Sequence, residues 1–567
     1  MQKYEKGHLL VTENHFIIVE ERCNMKRTRK SIALAIALVI CLSFLASCAP
    51  KQEPSSPPPS DSSTPSSTPA PTQSEQPSFT PTPTGEDVKY AEELDIILAN
   101  SNIAVIDPFN PSGGVDACSW VYNLIYDRLA YPLFEGGYEP YLATRWETED
   151  AQTYTFYLRD DVTFHNGEKF TAKDVVFTIE TALASPGSSA NNNWKSVAEA
   201  NIIDDYTLEL VLNGVNVDFI HDVSQPYCGI VNEKAMTDDP VSGMQVGTGA
   251  FEVTNFVTNN SVELTFNEKY WGEPVITKKL NMQFVPEQSS RAIMMLNGEA
   301  QLCFRVSDED IPTFKDDPDF QLFSFPLATP NVIFFNLNDP IVGDPNFRMA
   351  VASALHRDDL TFGAVGEYGI PITDGTVWGW DTDFRNNDIP LVPYDLEKAK
   401  EYLALSPYNG EEIEIATAIA STIKASEIIQ QQLAKIGINI VVNAMDTPSL
   451  GAYTQWDNNQ SQIVVFSILF SRAATSFGNT VSPRTSGNRM MYDNPVINDM
   501  LDKAATSTDE NVRRELYMEM QEILAEDMPY LGLFWRMSSV VAAKGVGGFK
   551  LPANALYDLR YIYQQID

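Results

Sequence analysis

Residues 154–175 read YTFYLRDDVTFHNGEKFTAKDV, and several local structural signals follow one another in this stretch. Apolar and polar side chains alternate from Tyr154 to Leu158, which predicts a strand with one buried face. Asn166-Gly167 is a turn signal, and Thr171 with Asp174 has the spacing of a helix capping box, in which Glu or Gln is more usual. The stretch therefore predicts a strand, a turn and a helix in succession.

The chain beyond residue 88 continues to alternate in this way. Apolar residues at helical spacing predict helices, and short apolar or alternating runs bounded by polar residues predict strands. Alternating elements favour sheets covered by helices, which is an α/β fold. The predicted helices cover 119–131, 426–437 with Gly437 as terminator, 495–506 and 509–527, and the predicted strands include 96–98, 438–442 and 529–535.

The length and charge of the chain narrow its class. It has 567 residues, whereas a single hydrophobic core stops growing near ~250–300 residues, so we expect two or more lobes. Asp and Glu number 76 against 39 Lys and Arg, for a net charge of −37. A phosphate backbone and anionic lipid both repel such a surface, so nucleic acid is not expected as a partner. The plainest consequence of the acidity is solubility.

The N-terminal region has the pattern of a targeting segment. A basic stretch after Met25 precedes an apolar run over 31–47, which is typical of a secretory signal. The run ends in Leu-Ala-Ser before Cys48 and resembles a bacterial lipobox, in which the cysteine is acylated; an uncleaved anchor helix is the alternative. We therefore interpret 1–24 as an upstream extension, 25–47 as a lipoprotein signal peptide and 48–86 as the lipidated cysteine with a mobile Pro/Ser/Thr tether.

The cysteine and histidine content predicts no cofactor and no metal site. None of the six cysteines forms a C-x-x-C pair, and histidines are scarce beyond residue 48. Cys118, Cys228 and Cys303 remain after the signal region. They are compatible with one disulfide and a free thiol, or with three buried thiols.

Segment 131–177, which includes the opening stretch, resembles the signature of the family 5 extracellular solute-binding proteins. These are the peptide- and nickel-binding components of ATP-driven importers. Other blocks of the chain match the family's motifs in the same order: Gly247–Phe251, Asn267–Trp271, Arg291–Glu299, Phe335-Asn336, Phe347-Arg348 and His356-Arg357.

The resemblance implies a two-lobe, periplasmic-binding-protein-like α/β fold of class II, with an extra subdomain on lobe I. The lobes of such proteins close around a solute, and the crossings between them would lie near 325–332 and 528–532. Carried over to this chain, lobe I comprises 88–131, 246–325 and 530–567, the subdomain comprises 132–245, and lobe II comprises 326–529.

The resemblance also suggests which residues line the cleft. Ser112, Gly113, Gly114 and Asp116 precede or open a helix, and paired glycines let a ligand backbone approach closely; a plain N-cap loop is the alternative. Asn331 lies on the strand that leaves the hinge, where a core strand is the alternative.

Further candidates lie in the second lobe. Phe470 and Arg472 follow a predicted strand there, and a solvated rim charge is the alternative for the arginine. Trp378 and Trp380 lie in a Gly- and Asp-rich loop, where they could line a pocket or pack between the lobes.

The segment around Arg472 departs from the family pattern. Peptide-binding relatives carry an aspartate in this region that pairs with the α-ammonium of the peptide, but the chain reads SILFSRAATSFGN over 467–479. A buried ammonium without a partner is costly. Either another acid such as Asp116 takes this role, or the ligand is not a free-amine peptide; Arg472 could instead bind a carboxylate.

The sequence thus predicts a monomeric, extracytoplasmic binding protein, held to the membrane by lipid on Cys48, that passes a small solute to an ABC permease. A peptide is the first expectation, with an oligosaccharide or other organic solute next and nickel or haem last. An extracellular hydrolase and an adhesion or sensor protein are the alternatives in other classes. The sequence contains neither a G-x-S-x-G nor an H-E-x-x-H motif, so neither of these motifs supports an enzyme.

Overall fold

The structure is a computed structural model that describes residues 88–99, 103–110, 115–133, 137–307, 309–377, 384–468, 473–549 and 558–566. The side chains of 115–118, 328 and 473–476 lie outside the description. No helix within these ranges is long and apolar enough to cross a membrane.

The strands are, in chain order, β1 Lys89–Tyr90, β2 Glu93–Leu98, β3 Ala130–Pro132, β4 Tyr138–Pro140, β5 Ala143–Glu147, β6 Thr153–Leu158, β7 Val197–Asp204, β8 Thr207–Leu212, β9 Phe251–Val257, β10 Ser261–Phe266, β11 Lys279–Phe284, β12 Leu302–Phe304, β13 Phe320–Phe335, β14 Gly369–Pro371, β15 Glu412–Thr417, β16 Asn439–Ala444, β17 Ile463–Ser467, β18 Tyr530–Ala543, β19 Val546–Gly547 and β20 Tyr563–Ile566.

The helices are α1 Val115–Ile125, α2 Ala172–Leu183, α3 Ser189–Trp194, α4 Phe219–Val223, α5 Glu233–Asp238, α6 Pro240–Gly243, α7 Gln288–Leu296, α8 Ile311–Lys315, α9 Pro345–Ala354, α10 Arg357–Val365, α11 Leu396–Leu405, α12 Ala420–Ala434, α13 Thr447–Tyr453, α14 Ala473–Val481, α15 Pro495–Thr506 and α16 Glu510–Asp527.

A mixed sheet of 11 strands forms the centre of the structure. Its order is β16-β15-β17-β13-β18-β12-β2-β11-β10-β9, and β14 also pairs with β18. A separate sheet of 4 strands, β5-β6-β8-β7, lies within residues 132–245. Its inward side chains, including Phe156 and Leu210, belong to the same hydrophobic core as β2 and β11.

The buried side chains divide the large sheet into two halves. The first core joins residues between Leu94 and Phe304 to Val540 and Ala542 of β18. Two further cores join β13 from Val332 onward to β15, β17 and the helices around them. Along β18, residues 530–535 pack with these latter cores, so the change of core falls after Trp535. We call these regions the first and the second half.

The local predictions around the opening stretch are confirmed. β6 covers the predicted alternating strand, and Gly167 in the turn has a φ of 85°. The Asp174 carboxylate accepts a hydrogen bond from the backbone N–H of Thr171 at 3.0 Å, so aspartate completes this capping box. The same side chain also accepts from Asn232, which ties α2 to the start of α5.

The bounds of other predicted elements differ from the structure. The helix predicted over 119–131 is wrong beyond Ile125, because Ala130–Pro132 forms β3 and pairs with β4. Asp127 and Arg128 lie between the end of α1 and the start of β3, where they make buried polar contacts. The helix predicted over 426–437 is part of α12, which begins earlier, at Ala420. The strand predicted over 529–535 continues to Ala543 because β18 pairs with β13 along its length.

Candidate functional site

The strand directions place the carboxyl ends of the two halves opposite each other. β2 is parallel to β11 and β12, and β15 is parallel to β16 and β17. β12 is antiparallel to β18, β18 to β13, and β13 to β17, so the two parallel groups point toward each other. Ligands of open α/β sheets bind outside the carboxyl ends of the strands. The candidate site is therefore the region between these facing edges, which we call the cleft.

β13 and β18 connect the two halves as one antiparallel ribbon. Pro326 pairs with Met537 and Pro330 with Trp535, so residues 327–329 lie opposite Arg536 and the ladder is interrupted. Proline lacks the N–H that a ladder needs, and extra residues in one strand bend it locally. The ribbon is thus irregular at the level of the cleft.

Asn331 lies on this ribbon just beyond the irregularity. It pairs with Ser467 of β17 on one side and with Phe534 of β18 on the other. Its side chain is 0% exposed, and within the described ranges neither its amide oxygen nor its amide nitrogen has a hydrogen-bond partner. A buried amide without partners costs about 1–3 kcal/mol. A buried polar group without a partner calls for an explanation, and a bound water or ligand would supply one.

The N-terminus of α12 lies at about the same height along the sheet as Asn331, on the side of β17 that faces away from β13. Thr417 at the end of β15 pairs with Val465, which places the following residues level with Ser467. The N-cap position is Ile419, whose side chain offers no oxygen, and the hydroxyl of Ser421 has no partner in the described part of the chain. Unsatisfied N–H groups at a helix N-terminus favour a carboxylate or another anion.

Two charged side chains lie on segments that follow strands of the first half. Asp107 belongs to the segment that follows β2, and its N–H donates to the hydroxyl of Tyr122 at 3.2 Å. Burial raises the pKa of the Asp107 carboxyl, and no cation forms an ion pair with it in the described ranges. Arg305 directly follows β12 with a φ of 55°, and its guanidinium lies 5.8 Å from the ring centroid of Trp120. Neither Asp107 nor Arg305 was predicted from the sequence.

Most of the predicted site residues lie outside the described residues. Asn331 is described, whereas Asp116 is described only by its backbone, in the first turn of α1. Ile468, the last described residue before Phe470 and Arg472, lies beside the ribbon next to Asn331, because its N–H donates to the carbonyl of Pro330 at 2.9 Å. The predicted residues that lie outside the description are Cys48, Ser112, Gly113, Gly114, Trp378, Trp380, Phe470 and Arg472.

The described cysteines and acids show no redox or metal chemistry. Cys228 and Cys303 are free, buried thiols. Burial raises the pKa of both, to about 12 at Cys303, so neither is a reactive thiolate at neutral pH. No group of His, Cys, Asp or Glu within the described ranges could hold a metal ion.

Comparisons with known proteins agree with this geometry. The sequence matches the profile of the bacterial extracellular solute-binding proteins, family 5 Middle, over residues 137–488. It is 25% identical over 479 residues to the glutathione-binding protein GsiB of Escherichia coli K12, covering 81% of this chain and 92% of that protein.

Solved structures share the fold. The ABC transporter substrate binding protein CtaP from Listeria monocytogenes superposes with a TM-score of 0.74 at 20% identity, covering 84% of this chain and 100% of that one. The periplasmic binding protein DppA from Helicobacter pylori, in complex with the peptide STSA, gives a TM-score of 0.67 at 23% identity, covering 84% and 99%. The architecture is thus the two-lobe fold of periplasmic binding proteins.

Proposed function

Because this chain belongs to the bacterial extracellular solute-binding proteins of family 5, we propose that it captures a peptide between its two halves and delivers it to its permease by closing around it. Proteins of this family are the substrate-binding components of ABC importers and are not enzymes. The observation that carries the proposal is Asn331, whose amide has no partner among the described residues and lies on the ribbon between the facing strand ends.

Closure requires that the two halves move relative to each other, and this motion needs a hinge. We place the hinge at the irregular part of the ribbon. Residues 327–329 and Arg536 lie between the paired sections that belong to each half. A ligand that contacts both halves only in the closed form shifts the equilibrium toward that form. Asn331 is fully buried here, so an opened form would expose its amide to the entering ligand.

A peptide suits the groups at the cleft. An extended peptide offers backbone donors and acceptors that the amide of Asn331 and the hydroxyl of Ser421 can satisfy. Its ammonium requires an acid, and Asp107 is half-buried without a cation, which makes it a candidate beside Asp116. Its carboxylate would meet Arg472, Arg305 or the N-terminus of α12.

Two relatives support the ligand class by their names. GsiB is named as a glutathione-binding protein, and the DppA structure contains a peptide. The second candidate is an organic solute without a free amine, because the segment 467–479 lacks the carboxylate that peptide-binding relatives carry.

We also propose that the protein is a monomer held at the outer face of the membrane. The proposal rests on the apolar run before Cys48 and on the Pro/Ser/Thr-rich stretch after it. A lipid at Cys48 followed by a long tether would keep the binding protein near its permease while leaving it room to move.

The test replaces Asn331 with leucine and measures both peptide binding and stability. We expect Asn331→Leu to weaken the binding of the best peptide in a thermal-shift and calorimetry panel about 10- to 100-fold, since about 1–3 kcal/mol is lost with a buried polar contact. Without ligand we expect the variant to be at least as stable as the wild type, because an unpartnered amide is removed.

Asn336 provides a matched control on the same segment. Its amide nitrogen donates to the carbonyl of Ser461 at 2.8 Å, and its oxygen accepts from the N–H of Asn338 at 3.0 Å. Asn336→Leu should therefore lose stability and keep the affinity of the folded protein. Wild-type peptide affinity in Asn331→Leu would remove this residue from the site. A thermal shift with oligosaccharides or opine-like acids, but with no peptide, would favour the second ligand class.

A further inference from the structure

A cavity of about 40 Å³ lies within the second half, apart from the cleft. It is lined by the start of α10, the end of α16, the start of β18 and residues 374–375 and 390–392. The residues that matter for its chemistry are Arg357, Asp374 and Tyr530, and the apolar wall includes Leu524 and Met528. We call it the Arg357 cavity.

Arg357 is a buried cation with incomplete bonding. Its side chain belongs to a residue only 7% exposed. Nε donates to the carbonyl of Gly532 and Nη1 to the carbonyl of Leu355, both at 3.1 Å. Nη2 is buried and has no partner in the described part of the chain. The guanidinium is thus held in place by two backbone carbonyls while one of its donor nitrogens stays unused.

No acid in the described part of the chain neutralises this arginine. Asp374 lines the same cavity, but its carboxylate accepts from Nη2 of Arg385 at 2.6 Å and is thereby already paired. Burial lowers the pKa of Arg357 to about 10, and no carboxylate acts against that effect. The three charged side chains therefore leave the region with one net positive charge.

A second donor lines the cavity without a partner. Tyr530 is 7% exposed, and its hydroxyl makes no hydrogen bond within the described ranges. Burial raises the pKa of this hydroxyl, so it keeps its proton and remains a donor at any physiological pH. Two hydrogen-bond donors, Nη2 of Arg357 and the hydroxyl of Tyr530, therefore belong to residues that line one small, half-apolar space.

We propose that the Arg357 cavity binds a small monovalent inorganic anion of about the size of chloride, which accepts hydrogen bonds from Nη2 of Arg357 and the hydroxyl of Tyr530. A water molecule needs about 10–15 Å³ of such space, so the cavity has room for one anion with a water or two and none for a peptide. An isolated buried cation costs several kcal/mol unless an opposite charge joins it. The anion supplies that charge.

The bound anion would affect the ribbon through Arg357, which it contacts. Arg357 donates to Gly532, which belongs to the part of β18 that pairs with Val332 of β13. Fixing the guanidinium therefore fixes the end of the ribbon in the second half. This site is independent of the proposed solute cleft, and either could exist without the other.

The test compares sodium chloride with sodium gluconate at equal ionic strength, with the thermal unfolding midpoint of the purified protein as readout. We expect chloride to raise the midpoint by about 2 °C or more, since binding to the folded state alone is stabilising. The rise should vanish in Arg357→Met. It should persist in Arg348→Met, which removes another buried arginine of this half that donates to the carbonyls of Gly343 and Asp527 and does not line the cavity.

A crystallographic measurement decides the case even if Arg357→Met does not fold. Crystals grown in bromide should show an anomalous peak within hydrogen-bond distance of Arg357 and Tyr530 in the wild-type protein. A cavity that contains water alone, or an equal chloride response in Arg357→Met and the wild type, would overturn the proposal. Peptide binding by the wild type is a separate readout, so failure here leaves the proposed function unaffected.

Discussion

Arg560 in the first half and Arg357 in the second half are both buried arginines, but their partners differ. Arg560 forms two parallel hydrogen bonds with Asp558, at 3.0 Å from Nε and 2.7 Å from Nη2. Its guanidinium also lies 4.5 Å from the ring centroid of Tyr131 and 5.3 Å from that of Tyr141. Within the described ranges, Arg357 donates to two backbone carbonyls and to no carboxylate.

The difference shows which buried charges are satisfied within the protein itself. Burial acts to lower the pKa of both arginines, but Asp558 overcomes this effect and holds the pKa of Arg560 well above its ordinary value. At Arg357 the effect of burial is unopposed. The Arg560 guanidinium is therefore neutralised by its own neighbour, whereas the second half contains a buried cation that has no carboxylate partner in the described ranges. At the edge of that half, the amide of Asn331 also has no partner within those ranges.

The largest effect is expected from removing the paired arginine. Arg560→Met should lower the free energy of unfolding by about 3–5 kcal/mol, because it leaves the carboxylate of Asp558 buried without its cation. It also removes the cation that lies near both tyrosine rings. Urea denaturation followed by fluorescence measures this loss.

A double variant distinguishes the unpaired charge from lost packing. Arg560→Met with Asp558→Leu leaves no buried charge behind, so we expect it to recover a substantial part of the stability. If the double variant is as unstable as Arg560→Met alone, packing of the guanidinium against the rings, and not the ion pair, accounts for the effect.

The sequence predicted the local parts of this fold better than the charge networks. The strand, turn and capping box around residues 154–175 depend on near neighbours, and the structure confirms them. His356-Arg357 was recognised only as a family match, because the absence of an acid near Arg357 depends on segments far away in the chain. Asp127 and Arg128 looked helical by periodicity, but their buried partners Thr248 and Ser224 lie in distant segments and draw them out of α1.

Asn331 was suggested by resemblance, and its distinguishing property could not be read from the sequence. Its burial and lack of partners follow from the pairing of β13 with β17 and β18, which are far apart in the chain. Asp107 and Arg305 carried no sequence signal, since neither lies in a recognised motif. They become candidates only when the structure shows which strand ends border the cleft.

A buried acid provides a further test of how burial acts on a charged side chain. Asp222 on α4 accepts a hydrogen bond from Asn216 at 3.0 Å, and burial, with Asp218 nearby, raises its pKa to about 7. The folded state then binds a proton that the unfolded state, with an ordinary pKa of 3.8, releases earlier. This group therefore costs stability as the pH rises from about 4 to about 7.

Asp222→Asn should remove that dependence. We expect the variant to exceed the wild type in unfolding free energy by about 1–2 kcal/mol at pH 8, with the difference shrinking toward pH 4. Urea denaturation at a series of pH values measures it. Asp150→Asn serves as a control of opposite sign, because the backbone N–H groups of Thr153 and Gln152 lower the pKa of that exposed carboxyl. A constant difference across this pH range would show that Asp222 is ionised in the folded protein.

The smallest effect is expected from removing the unpaired arginine in the absence of its proposed anion. In gluconate buffer, Arg357→Met should change the free energy of unfolding by less than about 1 kcal/mol, because relief of a buried, unpaired cation offsets the loss of two hydrogen bonds to carbonyls. In chloride the same substitution should cost more, since the wild type alone gains from the anion. Urea denaturation in the two salts, run beside Arg560→Met, provides the measurement. A loss in gluconate as large as that of Arg560→Met would mean that Arg357 is already satisfied within the folded chain, and the two arginines would then differ in geometry alone.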